Sequence, residues 1–113
     1  MKVKQQVQTK FTAKYLDKLI EEATMDAYND SEQASGFFAM IEEHLSLPSV
    51  TEEVLGQVVT VAKIDLTARD QIVAVCKRRE AIQRIPILDL TLPAPPPKGA
   101  EWIEAYRRWC RNW

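Results

Sequence analysis

Apolar residues recur every three or four positions in the first part of the chain, every two positions in the middle, and every three or four again at the end. The first spacing predicts two helices, over residues 13–28 and 31–46, capped by Thr12 and Asp30 respectively. Gly36 lies inside the second helix, where glycine costs about 1 kcal/mol relative to alanine. Its presence predicts that another element packs closely against the helix backbone at this position.

The period of two extends over residues 49–90 and predicts antiparallel strands. Three main strands are expected at residues 57–64, 71–78 and 82–87, with a short segment at 49–53 beside them. Turns are expected at 54–56 and at 67–70. Pro86 has no N–H, which argues for an edge position or a strand end. Because the connections between successive strands are short, an antiparallel meander that forms a small, partly open barrel is predicted.

A proline-rich segment, 92–99, predicts a stiff, extended linker before a last helix over residues 100–112. The apolar residues of this helix keep spacings of three and four and are expected to face the core: Trp102, Ile103, Tyr106 and Trp109. Residues 1–10 carry little apolar pattern and fit either a frayed terminus or a short edge strand. The chain, 1–113, is therefore predicted to be a single α+β domain.

Composition narrows the class of protein further. The net charge is -1 and 46% of the 113 residues are hydrophobic, which favours a packed core and disfavours nucleic acid as a partner. No apolar run is long enough for a membrane span and no signal-peptide pattern is recognised. The two cysteines, Cys76 and Cys110, lack metal-ligand spacing and are interpreted as free thiols. A cytoplasmic protein without a membrane partner is predicted.

Carboxylates around the predicted helix junction are the best candidates for chemistry, because calcium is bound mainly by carboxylate and carbonyl oxygens. Two of them, four residues apart, share a helix face, and two more follow the helix end, so all four could converge on one ion. The alternative is a solvated helix end in which Asp30 serves only as a cap. The candidate ligands are Glu22, Asp26, Asp30 and Glu32, with Glu42 and Glu43 forming either a second, shallow cation site or a solvent-facing surface.

Other kinds of chemistry have less support. The spacing excludes an EF-hand, because Ser31 stands where that loop requires glycine and Phe37 where it requires glutamate. His44, near the C-terminus of the second predicted helix, has no metal-binding partners at suitable spacing, and Cys76 has no accompanying base. An enzyme is therefore not predicted. Basic residues, among them Lys77 and Arg84, could bind single-stranded nucleic acid together with the tryptophans by stacking, but a mixed surface is favoured because the tryptophans keep core spacing.

The chain resembles the small bacterial calcium-binding proteins of the cyanobacterial CcbP type. The residues that carry the resemblance are Asp26-Ala27-Tyr28, Glu32-Gln33-Ala34, Gly36-Phe37, Glu42-Glu43, Leu45 and Pro48, followed by Gly56, Pro86, Leu88, Leu90 and the segment Ala105 to Trp109. The resemblance covers most of the chain beyond about Glu21, and the block from Asp26 to Ala34 is its most specific part.

The resemblance implies an α+β protein with a small antiparallel SH3-like, partly open barrel of three to five strands. Two N-terminal helices and one C-terminal helix would pack on this barrel. It also implies a non-enzymatic protein that binds Ca²⁺ through surface carboxylates, for buffering or sensing. The alternative function is an SH3-like protein-interaction module that has no metal function and binds a protein partner of unknown identity.

Overall fold

A computed structural model describes residues 11–53, 58–93 and 95–111. Within these ranges the helices are α1 (Ala13–Ala23), α2 (Asp30–His44) and α3 (Ala100–Arg111). The strands are β1 (Ser49–Glu53), β2 (Val58–Leu66), β3 (Ile72–Arg78), β4 (Ala81–Pro86) and β5 (Leu90–Thr91), and one turn of 3-10 helix (Ile87–Asp89) precedes β5. The predicted turn at 54–56 and the predicted terminus at 1–10 lie outside the described residues.

The five strands form one antiparallel sheet in the order β4-β3-β2-β1-β5. Strands β1 to β4 are sequential neighbours, and β5 returns to pair with β1, where the Thr51 hydroxyl donates a hydrogen bond to the Thr91 carbonyl. The α+β class, the antiparallel meander and the placement of two helices before the sheet and one after it are confirmed. Pro86 ends β4, which lies at one edge of the sheet, as predicted from its missing N–H.

A β-bulge in β2 decides which residues of that strand face the core. Val61 lies opposite Cys76 and Lys63 lies opposite Val75, so Ala62 is an extra residue on the β2 side. Strict alternation after Val61 would turn Lys63 inward. The bulge instead leaves Lys63 exposed and buries Ile64.

The three helices pack together on the inner face of the sheet. Helix α3 contacts both α1 and the backbone near β5 through its arginines. Arg108 forms an ion pair with Asp17 of α1, with its Nε 2.7 Å from the carboxylate. Arg107 donates to the backbone carbonyls of Leu88 and Leu90, at 2.9 and 2.7 Å. The aromatic residues of α3 face the core as predicted: Trp102 and Tyr106 are buried and Trp109 is half-buried against Phe37. Residues at the centre of the core include Phe37, Ile41, Val59, Ile72, Ala74, Cys76 and Ile87.

Both N-terminal helices end earlier than predicted, whereas α1 begins at the predicted residue and α2 begins one residue before it. Helix α1 ends at Ala23 rather than at 28, and the Thr24 hydroxyl donates to the Ile20 carbonyl, 2.7 Å away, at its C-cap. Asp26 then adopts a φ of 60°, which ends the helical path. Helix α2 ends at His44, two residues before the predicted 46.

The predicted close approach at Gly36 is confirmed. A Cβ atom at this position would lie 2.0 Å from the carbonyl oxygen of Ala23, the last residue of α1. A second close approach occurs at Gly99, which has a φ of 92° and would place a Cβ 2.2 Å from the carbonyl oxygen of His44. The two glycines therefore let the C-terminal ends of α1 and α2 contact other parts of the backbone.

In the described part of the chain, none of the helices combines the length and apolar character that crossing a bilayer requires. Cys76 lies buried in β3 and Cys110 lies half-buried in α3, and both are free thiols, as the sequence predicts. Burial raises the pKa of each thiol above its ordinary value. Neither cysteine is therefore activated as a thiolate nucleophile at neutral pH.

Candidate functional site

The turn between α1 and α2 is organised by hydrogen bonds that begin the second helix. The Asn29 side-chain oxygen accepts a hydrogen bond from the backbone N–H of Glu32, at 2.8 Å. In return, the Glu32 carboxylate accepts one from the backbone N–H of Tyr28, at 2.6 Å. This reciprocal pair is a variant of the capping box. Asn29, and not the predicted Asp30, is the N-cap, because the Asn29 backbone is extended while Asp30 is already helical.

This arrangement gives the acidic residues of the turn a structural role. Asp30 and Glu32 lie in the first turn of α2, where the helix dipole favours negative charge and disfavours a cation. One Glu32 oxygen is already engaged by the Tyr28 N–H. Glu22 and Asp26 are exposed on the other side of the turn, before and within the left-handed bend.

The predicted convergence of carboxylates is not seen. Within residues 11–53, 58–93 and 95–111, no three His, Cys, Asp or Glu side chains are grouped closely enough to hold a metal ion. Glu42 and Glu43 are exposed near the C-terminus of α2, at the opposite end of that helix from Asp30 and Glu32. A metal role for the six candidate ligands stays a prediction.

His44 has an aromatic partner. Its ring stacks on Trp102 with 5.3 Å between ring centroids and 15° between ring planes. It is the last residue of α2 and is exposed to solvent on its other side. The predicted position near the helix C-terminus is confirmed, and the stacking joins α2 to α3.

The outer face of the sheet carries a group of exposed aliphatic side chains. Directly opposite residues on neighbouring strands share a face, and the pairs Val50–Thr60, Thr60–Lys77 and Lys77–Ile82 run across four strands. Val58 lies two residues before Thr60 and joins the same face. Val50 and Val58 are each 57% exposed and Ile82 is 65% exposed. We call these five residues the sheet surface.

The free edge of β4 adjoins the sheet surface. In the described residues, β4 pairs with β3 on one side only. The β3–β4 connection has two residues, so Arg78 and Ala81 form the hydrogen-bonded pair that flanks it and the pairs then alternate. The N–H and C=O groups of Ile82 and Arg84 therefore point away from β3. Pro86 occupies the next such position, so its missing N–H removes no hydrogen bond between β4 and β3.

An ion pair stabilises the side chains next to this edge. Arg84 Nη2 lies 2.5 Å from Asp65 Oδ2, and both side chains are partly exposed. The hydrogen bond from Arg84 is the main reason why the pKa of Asp65 lies below its ordinary value, and the Leu66 backbone N–H adds to it. Since β2 and β4 are not adjacent, this pair links two strands across β3.

Charge is divided unequally between the helical and strand parts of the chain. Residues 13–48 carry two lysines and eight acidic residues, namely Asp17, Glu21, Glu22, Asp26, Asp30, Glu32, Glu42 and Glu43. Residues 58–86 carry three acidic residues and six basic ones, namely Lys63, Arg69, Lys77, Arg78, Arg79 and Arg84. The net charge of -1 therefore combines an acidic segment that contains α1 and α2 with a basic segment that contains β2, β3 and β4.

One small cavity lies in the interior of the described part of the chain. A cavity between the sheet, the end of α2 and α3 has a volume of about 20 Å³, enough for about one water molecule. Its lining is almost entirely apolar and includes Leu45, Val61, Ile87, Leu92 and Ile103.

Sequence reasoning missed the sheet surface. It assigned Lys77 and Arg84 to a mixed surface and did not consider the exposed aliphatic residues. A signal was present in Val58-Val59 and in Ala81-Ile82, where an apolar residue stands at a position that alternation assigns to solvent. An apolar residue on the polar side of a strand indicates a surface used for contact.

The chain was compared with known proteins at three levels. No model of a protein family, no curated protein and no solved structure matched it. The resemblance to the CcbP-type proteins and the SH3-like description therefore stay predictions.

Proposed function

We propose that this protein is a non-enzymatic interaction module that binds a partner chain at the sheet surface. The observation that carries the proposal is the exposure of Val50, Val58 and Ile82, each by more than half, on one face of the sheet. Scattered exposed apolar residues are ordinary, but grouped ones indicate an interaction site. The uncovered edge of β4 next to them adds main-chain groups that a partner could use.

The strand order agrees with the predicted SH3-like barrel. A meander of four strands, a short 3-10 turn and a last strand that returns to β1 is the arrangement expected of such a barrel. Trp102 and Tyr106 are buried in the core and are not accessible to a partner. The proposed contact surface is therefore aliphatic and basic rather than aromatic.

Burial of the three exposed aliphatic side chains supplies only part of the binding free energy that a micromolar complex requires. Fully burying one aliphatic side chain contributes about 1.5–3 kcal/mol, and these three are already partly buried. Together they would contribute about 3 kcal/mol, whereas a micromolar complex requires about 8 kcal/mol. Main-chain hydrogen bonds or charge contacts must provide much of the remainder.

A peptide-display selection tests the proposal. Random 12-residue peptides are selected on the purified protein, and enriched peptides are then measured against Ile82→Ser and against Tyr28→Ser as a matched control. Tyr28 is 85% exposed and lies in the helical part of the chain. We expect micromolar peptides whose affinity falls at least fivefold with Ile82→Ser and is unchanged with Tyr28→Ser. Equal binding to all three proteins, or no enrichment, would overturn the proposal.

Calcium binding at the α1–α2 turn is the second candidate. The acidic excess of residues 13–48 favours it, together with the exposure of Glu22, Asp26 and Asp30. Calorimetric titration with Ca²⁺, with Mg²⁺ as the control ion, tests it at physiological salt, where diffuse charge attraction is screened. Saturable binding of Ca²⁺ that is lost in Asp26→Asn would support this candidate. No heat at millimolar Ca²⁺ would overturn it.

A further inference from the structure

We propose, as a step that rests on the proposed function, that the partner chain is a second copy of this protein. The two copies pair antiparallel through the free edge of β4, about a two-fold axis that passes between their Ile82 residues. Their five-stranded sheets then continue into one another, and the two sheet surfaces lie side by side on the same face.

The edge of β4 has a self-complementary pattern of charge. Glu80 is acidic, Ile82 is apolar and Arg84 is basic, and the three alternate along the chain. All residues from 77 to 84 are exposed. A two-fold axis between the Ile82 residues places Ile82 opposite Ile82, and it places Arg84 of each copy opposite Glu80 of the other. Apolar pairs and opposite charges directly across antiparallel strands are stabilising, so a second copy matches the edge at all three positions.

The main chain at this edge supports the same register. Ile82 and Arg84 occupy non-hydrogen-bonded positions towards β3, so their N–H and C=O groups face the free edge. The Glu80 carbonyl faces it too, because the Ala81 N–H points to β3 and the two groups point in opposite directions across a trans peptide. Each Ile82 N–H then meets the Ile82 carbonyl of the other copy, and each Arg84 N–H meets the Glu80 carbonyl, which allows up to four main-chain hydrogen bonds.

Neighbouring registers fit less well. An axis through Gln83 places Ile82 opposite Arg84, so the apolar pair and both opposite-charge pairs are lost. An axis through Arg84 places the two Arg84 side chains opposite each other, and it places Ile82 opposite Pro86, which has no N–H to donate. Of these three registers, only the one through Ile82 combines an apolar pair at the centre with opposite charges at both ends.

The other charges near β4 are compatible with this pairing. Arg79 lies opposite residue 85 of the second copy and is therefore six residues, or about 20 Å, from the second copy's own Arg79. This distance exceeds the screening length of about 8 Å at physiological salt. The ion pair with Asp65 uses Nη2 of Arg84, so the guanidinium has further N–H groups for Glu80. Exposed ion pairs add little binding energy, so these pairs select the partner and the register, while main-chain bonds and the apolar pair supply the affinity.

Other occupants match this edge less completely. Residues 1–10 contain three lysines and no acidic residue, so they offer no side-chain carboxylate to Arg84. A nucleic acid would find no stacking partner among the exposed aliphatic side chains of the sheet surface, and Glu80 would repel its phosphates. At the other edge of the described sheet, β5 has two residues and is too short to continue the pairing, so the assembly closes at two copies.

Sedimentation equilibrium of the full chain, from about 10 µM to about 1 mM, tests self-association. A short edge contact belongs to the class of small, weak interfaces, so we expect a reversible monomer–dimer equilibrium with a dissociation constant of about 0.1 mM. Ile82→Ser should weaken the dimer at least fivefold. Tyr28→Ser, which changes an exposed side chain outside the sheet, should leave it within twofold.

Isotope-filtered NOE spectroscopy on a mixture of ¹³C-labelled and unlabelled protein identifies the register. Non-hydrogen-bonded residues directly opposite each other on antiparallel strands have their Hα atoms close together, because their Cα atoms are about 4.5 Å apart. The proposed register makes Ala81 and Gln83 of different copies such a pair, so we expect an intermolecular contact between their Hα atoms. A contact between the two Gln83 residues, or contacts that lie only outside β4, would overturn the proposal.

An exchange of charge tests whether Glu80 and Arg84 select the partner. Glu80→Arg and Arg84→Glu each place like charges opposite one another in a homodimer, and each should weaken self-association at least fivefold. An equal mixture of the two variants restores opposite charges at both positions, so the heterodimer should be at least tenfold tighter than either homodimer, with a gain that shrinks as salt is raised. Glu43→Arg and Arg69→Glu make the same charge changes at exposed sites outside β4, and their mixture should show no such gain. The amide spectrum of each variant checks that the fold persists.

The outcomes separate this inference from the proposed function. A wild-type protein that stays monomeric at about 1 mM, or a mixture of charge variants that associates no better than each variant alone, would show that a second copy is not the partner. If display-selected peptides then still lose affinity with Ile82→Ser, the interaction module stands with a different occupant. If neither peptides nor a second copy bind, the proposed function falls as well.

Discussion

Gly36→Ala tests whether the contact between α1 and α2 depends on the absence of a side chain. An added methyl group would lie 2.0 Å from the Ala23 carbonyl oxygen and 3.2 Å from its carbonyl carbon. Ordinary carbon–oxygen contacts are about 3.3 Å or longer, so one helix would have to move by roughly 1 Å. The obstacle is backbone, which cannot rotate away as a side chain can.

Two opposing terms set the magnitude. Alanine is favoured over glycine inside a helix by about 1 kcal/mol. Overpacking costs about 1–3 kcal/mol, and occasionally more when rigid groups collide. Because the shortfall in distance is large and involves a carbonyl group, we expect a net loss of about 2 kcal/mol in the free energy of unfolding.

Urea unfolding followed by circular dichroism measures this loss. With a slope of about 2 kcal/mol per M for a chain of this size, the midpoint of Gly36→Ala should fall by about 1 M. Ala39→Gly is the matched control, since Ala39 is exposed on the same helix and should lose only about 1 kcal/mol from helix propensity. A Gly36→Ala protein as stable as the wild type, or more stable, would refute the argument from close approach.

Three further predictions concern a helix cap, a turn and a buried phenol. Asn29→Ala removes the N-cap acceptor of α2 and should lower the free energy of unfolding by about 1 kcal/mol, measured by urea unfolding; an unchanged midpoint would contradict the capping role. Arg79→Gly relieves a left-handed φ of 58° and should raise the free energy of unfolding by about 0.5–1 kcal/mol, so a lower thermal midpoint would argue against strain there. Burial, with a smaller contribution from Cys110, raises the pKa of Tyr106 to about 12. Stability should therefore be complete below pH 10, the ordinary pKa of tyrosine, and fall by about 1–3 kcal/mol as the pH rises to about 12. Tyr106→Phe should lack this alkaline loss in urea midpoints at pH 8 and pH 11, and an identical loss in both proteins would show that another group causes it.

Local patterns predicted most of the elements because their causes are local. Thr12 was recognisable as an N-cap, and its hydroxyl does accept the Tyr15 N–H at 3.1 Å. The turn predicted at 67–70 forms with the Asp70 N–H donating to the Thr67 carbonyl, at 2.9 Å. These features require only nearby residues, so a short stretch of sequence suffices to identify them.

Features that depend on contacts between distant segments were predicted only in part. The presence of Gly36 indicated a close approach, but not that Ala23 of α1 would be the neighbour. Helical spacing continues to residue 28, yet α1 ends at Ala23, whose carbonyl oxygen packs against Gly36 of α2. The N-cap of α2 is Asn29 rather than the predicted Asp30, and the Glu32 carboxylate supports it by accepting a hydrogen bond from the Tyr28 N–H. Helix-capping propensity alone does not choose between these two good capping residues.

By itself, the sequence determined the fold class, the order of the elements and the inward-facing aromatic residues of α3, because hydrophobic periodicity reports directly which face of an element is buried. The tertiary structure decided which surface residues lie together. It left the candidate calcium ligands spread over the α1–α2 junction and the C-terminal end of α2, and it placed Val50, Val58 and Ile82 on one face of the sheet, with Thr60 and Lys77 between them. Such a surface depends on strand pairing, and pairing between distant segments is set by the packing of the whole core rather than by any one stretch of the chain.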